Sequence, residues 1–222
     1  MITNAAMTPD PRLVAPAGAA HDRIYRDLRT RILHGEIAPA TPMTLRGIAA
    51  EFGVSMTPAR EAVRRLAAEG ALTLSASGRI ATPRLRDDRI EELASLRALL
   101  EPDLASRALP RVHLALLDRL AAIDGRAARA MMRQDVAGYV RANLDFHRTL
   151  YLRAQAPAVL AMTETVWLQL GPTMRALHDR RGRSEPPPTH RPILAALRSA
   201  DDAALRLAVR ADVVQGLRML RD

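Results

Sequence analysis

Two groups of residues in this chain have the types and spacing for chemistry. The first begins at "NLDFH" (143–147), where Asn143 and His147 stand one helical turn apart. Their stripe also carries Val140, Phe146 and Leu150, so both polar groups face inward. His190 precedes Ile193, Leu194 and Leu197 at i+3, i+4 and i+7, again on an apolar face. Asp212 lies seven beyond Leu205, on a stripe with Ala208, Val209 and Gly216. Four polar groups on the inner faces of three helices need partners, because an unpaired buried polar group is costly. A shared metal ion or a shared ligand would supply one. Imidazole nitrogen and carboxylate oxygen together suit a hard or borderline divalent cation, such as one of the Zn or Ni kind. The competing reading of each histidine is a satisfied core residue.

The second group lies in "VSMTPAREAVRR" (54–65). Arg60 and Arg64 project from a segment whose other face is Ala59, Ala62, Val63 and Leu66. Arginine can give two hydrogen bonds to guanine O6 and N7. The hydroxyls of Ser55 and Thr57, with the free N–H groups of a helix start, suit a phosphate. Arg46 opens the preceding helix and can reach the same groove, and Arg79 follows Gly78 at a hairpin tip. The competing reading is a solvated arginine face.

Those residues need elements to place them. Ile24, Leu28, Ile32 and Leu33 predict a first helix, ended by Gly35. Residues 38–42 read as a turn, and Thr44 caps a short helix over Leu45–Phe52. Gly53-Val54-Ser55 is the break before a second helix, with Ser55 as N-cap, Pro58 in its first turn and a stop at Gly70. Leu72 and Leu74 alternate with polar residues, Ser77-Gly78 forms a turn, and Ile80 follows, which is a small hairpin. Three helices and a hairpin have the layout of a winged helix-turn-helix. From Arg86 onward the pattern predicts helices at roughly 87–108, 111–133, 135–153, 157–181, 188–199 and 201–220, with no strand. The expected architecture is mainly α: a flexible arm over residues 1–19, a winged helix-turn-helix with a β-hairpin wing over 20–85, and an all-α bundle over 86–222.

Composition bounds the rest. At 222 residues and 48% hydrophobic, the chain can bury a real core. There is no cysteine, which excludes disulfides and thiolate metal sites. The sequence has no apolar run long enough to span a membrane, and residues 1–19 lack the pattern of a secretory signal, so a cytoplasmic protein is expected. The net charge is +9, and all 33 basic residues are arginine. Residues 1–86 hold 12 arginines against 7 acidic residues, a denser excess than in the remainder, as expected for a nucleic-acid contact.

The run "LRTRILHGEIAPATPMTLRGIAAEFGVSMTPAREAVRRLAAEGALTL" resembles the DNA-binding domain of the GntR family of bacterial transcription regulators. The resemblance implies winged-helix binding to a palindromic operator as a homodimer. It maps DNA contacts onto Arg46, Ser55, Thr57, Arg60, Gly78 and Arg79. Two positions depart from the family pattern: Met56 stands where arginine is usual, and Pro39-Ala40 where Pro-Gly is usual. The first departure puts the operator sequence in question more than binding itself. "ELASLRALLEPDLASRAL", "NLDFHRTLY" and "THRPILAALRSADDAALRLAVRAD" resemble the FCD effector domain of the fatty-acid-regulator branch. In the metal-binding members the pattern is Asp or Asn, His four later, then two histidines 22 apart. Here that implies Asn143, His147 and His190, with Asp212 at the fourth place. The resemblance also makes Arg97 a clamp for a carboxylate effector. By spacing alone Arg97 and Glu101 form an intrahelical pair equally well. His21, His34, His113 and His178 read as surface or packing residues, and Trp167 as core.

The reading that follows is a metabolite-responsive transcription regulator: a sequence-specific binder of double-stranded DNA, modulated by a small organic acid in the helical domain. A helical-bundle metalloenzyme would need Glu-x-x-His pairs, and none occurs in the chain. There is also no Gly-x-Ser-x-Gly elbow or phosphate loop. A nonspecific architectural DNA binder would leave the inward polar cluster without a purpose.

Overall fold

The computed structural model describes residues 17–75, 78–180 and 190–218. Helix α1 (Ala17–Leu33) starts within the expected arm, whose first sixteen residues lie outside the described ones. Its buried face is Ile24, Leu28 and Ile32. Each of these contributes about 1.5–3 kcal/mol relative to exposure. Strand β1 (Pro42–Met43) leads into α2 (Leu45–Phe52), and Thr44 Oγ1 accepts from the Gly47 N–H at 3.0 Å. Helix α3 (Met56–Ala68) buries Ala59, Ala62, Val63 and Leu66 against α1. Strands β2 (Thr73–Leu74) and β3 (Ile80–Ala81) close the wing. The expected turn at Ser77 lies outside the described residues.

The wing has three strands, not two, in the order β1-β3-β2. Met43 pairs with Ile80 and Pro42 with Ala81, both antiparallel. The stretch read as a turn over 38–42 therefore ends in an edge strand. Two residues carry no alternation to read, and Pro42, having no N–H to donate, is tolerated only at such an edge.

A helical bundle follows: α4 (Asp87–Ala108), α5 (Leu114–Met132), α6 (Val136–Tyr151), α7 (Pro157–Arg180), α8 (Arg191–Ser199) and α9 (Asp202–Arg218). Leu104, Leu120, Phe146, Leu150, Leu205 and Val209 lie in its core. Helix α5 starts at Leu114, later than the expected 111, because Leu109–Arg111 form a separate 3-10 turn and Val112 is extended. His113 occupies the N-cap, where its ring Nδ1 accepts from the Leu116 N–H at 3.4 Å.

Helix α7 belongs to both halves. Leu168 packs in the core around Ile24 and Leu66, while Trp167 packs in the bundle core. Gln169 Nε2 donates to the Glu69 carbonyl at 3.1 Å, and Arg175 Nη1 donates to the carbonyls of Gly35 and Glu36 at 3.2 Å. A Cβ on Gly35 would lie 2.9 Å from both the Arg175 Cβ and the Gly171 oxygen, so α1 ends hard against α7.

Candidate metal centre and nucleic-acid interface

Helix α6 presents Asn143, His147 and Tyr151 at successive turns of one face. His190 comes from the N-cap of α8, and Asp212 from α9. These elements bring the four residues together. His190 Nε2 lies 3.0 Å from Asn143 Oδ1, and His147 Nε2 lies 3.1 Å from Asp212 Oδ2. The ligating atoms of His147, His190 and Asp212 all fall within 4.8 Å of one another. Both imidazoles are buried, His147 completely.

The hydrogen bonds around His147 decide what its free nitrogen can do. The Tyr151 hydroxyl donates to Glu101 Oε2 at 3.0 Å, and its oxygen lies 3.2 Å from His147 Nδ1. Burial, then the Glu101 carboxylate, raises the Tyr151 pKa well above 10.0, so the phenol keeps its proton. A hydroxyl already committed as donor accepts from Nδ1–H. That leaves the Nε2 lone pair of a neutral His147 facing the Asp212 carboxylate. The pair is close but not aligned as a hydrogen bond, and Nε2 is buried without a partner. A lone pair beside a carboxylate is a fit for a cation.

Charge points the same way. Glu101 and Asp212 act on the Arg97 guanidinium and Asp124 on that of Arg191, so three carboxylates stand against two guanidinium groups, an excess of one negative charge when both imidazoles are neutral. Nitrogen and oxygen donors carrying that excess fit a divalent cation.

Arg97 does not stand free as a clamp. Its Nε donates to Glu101 Oε1 at 2.5 Å, with both side chains buried. Burial lowers the Arg97 pKa, but the Glu101 carboxylate more than reverses this. Trp167 Nε1 donates to the same Oε1 at 2.8 Å. Glu101 is thus a node joining Arg97, Tyr151 and Trp167, a role its i+4 spacing from Arg97 showed only in part. Leu33, Arg97, Asn143, Trp167, Gly171 and Met174 line a cavity of about 10 Å³, room for one water. Leu33 comes from α1, so the cavity touches the junction between the two halves.

Asp124 was not singled out in the sequence. Its Oδ1 lies 2.8 Å from His190 Nδ1 and accepts the His190 backbone N–H at 3.1 Å. Burial raises its pKa, and these His190 contacts, with Arg191, pull it below 3.8. A signal was present: Asp124 interrupts an apolar stripe of Leu116, Leu120 and Ala127, as Asp212 does on α9.

At the other end, α3 leaves Ser55, Thr57, Arg60 and Arg64 exposed along one side, with Met56 between the two hydroxyls. Ser55 sits at the N-cap, but its hydroxyl caps nothing. The residue at N3 is Pro58, which has no N–H to accept. Among the described residues, the side chains of Arg46, Arg60, Arg64 and Arg79 have no hydrogen-bond or ion-pair partner. Arg29, Arg31 and Arg65, by contrast, pair with Glu69, Glu51 and Asp22. Arg26 and Arg84 are unpaired too, so freedom from partners alone does not single out Arg46, Arg60, Arg64 and Arg79. Gly78 has φ 77°, and the Arg79 N–H donates to Ser75 Oγ at 3.0 Å.

Comparison with known proteins follows the same division. Residues 20–80 match the family model of bacterial regulatory proteins, gntR family, and residues 92–214 match the FCD domain. The Escherichia coli (strain K12) HTH-type transcriptional regulator McbR is 23% identical over 201 residues, 89% of this chain and 91% of that protein. The Bacillus subtilis gluconate operon transcriptional repressor is 30% identical over 154 residues, 69% of this chain and 61% of the repressor. The solved structure of E. coli McbR/YncC has the same fold, with a TM-score of 0.83 over 90% of this chain and 96% of that one. These relatives are named as transcription regulators and not as enzymes. The chain belongs to the gntR family of bacterial regulatory proteins, carries an FCD domain, and is a DNA-binding transcription regulator.

Proposed function

We propose that the chain is a sequence-specific regulator that binds a palindromic operator as a homodimer, in the cytoplasm, and that a small organic acid in the FCD domain sets its affinity for DNA. Asn143, His147, His190 and Asp212 would hold a divalent cation of the Zn or Ni kind. The observation that carries this is His147 Nε2, buried without a partner beside the Asp212 carboxylate. A bound cation would supply the positive charge that receives the effector's carboxylate. Arg97, which shares the wall of the small cavity with Asn143, would provide the second contact by exchanging Glu101 for that carboxylate, and because the cavity has room for only one water the acid would enter by opening it.

Any such exchange reaches Trp167 through Glu101, and Trp167 lies on α7 two residues before Gln169, which grips Glu69. The chain's own route from cavity to DNA-binding half is therefore α7. Arg60 and Arg64, with Ser55 and Thr57, would enter the major groove, while Arg46 and the wing residues Gly78 and Arg79 would flank it. One winged helix covers one half-site, so two recognition helices roughly 34 Å apart are required. Differential binding of the acid to one domain arrangement would shift that spacing.

The chain has a single tryptophan, and it contacts Glu101, so its fluorescence reports the site. Titration with Zn²⁺ or Ni²⁺, then with a panel of mono- and dicarboxylates, should change Trp167 emission saturably. The same acids should change affinity for an operator selected from random DNA. A flat Trp167 response to every metal and acid, with DNA affinity unmoved, would sink the effector reading. Light scattering that gives a monomer both free and on DNA would sink the dimer.

A further inference from the structure

His190 is the N-cap of α8, not a residue inside a helix, and its hydroxyl-free side chain caps nothing. Its ring is nevertheless held on several sides. One face stacks on Phe146, with ring centres 3.9 Å apart and planes 10° from parallel. Its edge meets His147, with centres 5.1 Å apart. On the side away from Asn143, a single carboxylate oxygen of Asp124 takes both the ring Nδ1, at 2.8 Å, and the backbone N–H, at 3.1 Å. Asp124 reaches from α5, so this contact ties α5 to the start of α8. The Asp124 side chain is only 16% exposed.

We infer that Asp124 is a positioning residue, which holds His190 in the Nδ1-protonated form and thereby presents its Nε2 lone pair to the cation. A carboxylate has only acceptors, so in a neutral ring the proton must reside on Nδ1. Nε2 is then unprotonated and lies 3.0 Å from Asn143 Oδ1, an oxygen with no proton to give it, so the two atoms offer their lone pairs to one cation beside His147 and Asp212. Without the carboxylate the ring can carry its proton on Nε2, the atom a metal needs, or flip over. His147 reaches the same state by a different relay, through Tyr151 to Glu101. This inference rests on the cation reading given under Proposed function.

The test uses the full chain with Asp124→Ala, Asp124→Asn and a control on the same helix, Asp118→Ala, whose side chain is exposed. Nitrogen-15 NMR of the metal-free protein reads the His190 tautomer, and calorimetry with Zn²⁺ reads affinity. Wild type and Asp118→Ala should show the proton on Nδ1. Asp124→Ala should lose that preference and bind Zn²⁺ about 10–100-fold more weakly, the usual effect of removing an outer partner of a metal-binding histidine. Asp124→Asn keeps the shape and one acceptor oxygen and should fall between. It carries the test if Asp124→Ala does not fold, and it must then weaken binding several-fold. A wild type that takes up no Zn²⁺ overturns the cation reading itself. A wild type that binds, with both Asp124 variants within twofold and the tautomer unchanged, overturns only the role of Asp124.

Discussion

Gly171 of α7 lies directly against the end of α1: a Cβ there would stand 2.7 Å from the Leu33 carbonyl oxygen and closer still to that of Ile32. Real Cβ atoms do not approach backbone oxygen so closely. The two halves of the chain therefore meet backbone to backbone, beside the cavity that Leu33 and Gly171 help to line.

Gly171→Ala should loosen this junction. Alanine in a helix is better than glycine by about 1 kcal/mol on propensity alone, so local preference predicts stabilisation. The clash predicts the opposite, a loss of about 1–3 kcal/mol. For a chain of this size each kcal/mol is about 2–4 °C in Tm. Calorimetry should show a lower Tm, and hydrogen exchange should show faster opening of the amides at 34–36. A higher Tm with unchanged exchange would count against a close backbone contact.

Arg60→Ala should reduce specific operator binding by about 1–3 kcal/mol per half-site while leaving Tm unchanged. The exposed guanidinium makes no hydrogen bond or ion pair with the described residues, so the fold loses little with it. Anisotropy titration at moderate salt, against unrelated DNA as competitor, separates this from a uniform electrostatic loss. Full retained specificity would remove Arg60 from the recognition set.

Ala40→Gly should stabilise the DNA-binding half by about 1 kcal/mol. Ala40 has φ 58°, in the left-handed region that costs a residue with a Cβ about 1–2 kcal/mol, partly offset by the greater entropy glycine loses on folding. Its N–H still donates to the Thr82 carbonyl at 3.0 Å, so the conformation is held from outside. An unchanged or lower urea midpoint would contradict this.

Acid should weaken the junction through His34. Burial, then the Arg141 guanidinium, lowers its pKa below 6.5, against the weaker opposing pull of Asp145 and Glu36. Its Nδ1 is buried without a partner. The unfolded chain takes up the proton first as pH falls, so the folded state has its full advantage above about 6.5 and loses it below, down to the depressed folded value. Urea midpoints at pH 7.5 and 5.5 should differ less in His34→Gln than in wild type. Equal differences in the two would assign the pH dependence elsewhere.

Much of this protein was legible without coordinates. The helix over Leu45–Phe52, the break at Gly53-Val54-Ser55 and the exposed side of α3 follow from local rules: capping residues, glycine, and an apolar stripe every three to four residues. The pairing of Asn143 with His147 follows from one helical turn. Other features depended on which surfaces meet. That His190 and Asp212 arrive at the same point as His147 is set by how α8 and α9 pack on α6, and no spacing along the chain encodes a distance between helices. Glu101 showed one partner by its spacing and has three, because Tyr151 and Trp167 come from elsewhere in sequence. Asp124 was visible as a carboxylate in an apolar stripe, but its partner was not. Strand β1 is too short to carry a period, and Gly171 reads like any helical glycine until α1 is laid across it. Local periodicity determines which face of each element is apolar; only packing decides which polar atoms on those faces end within reach of one another.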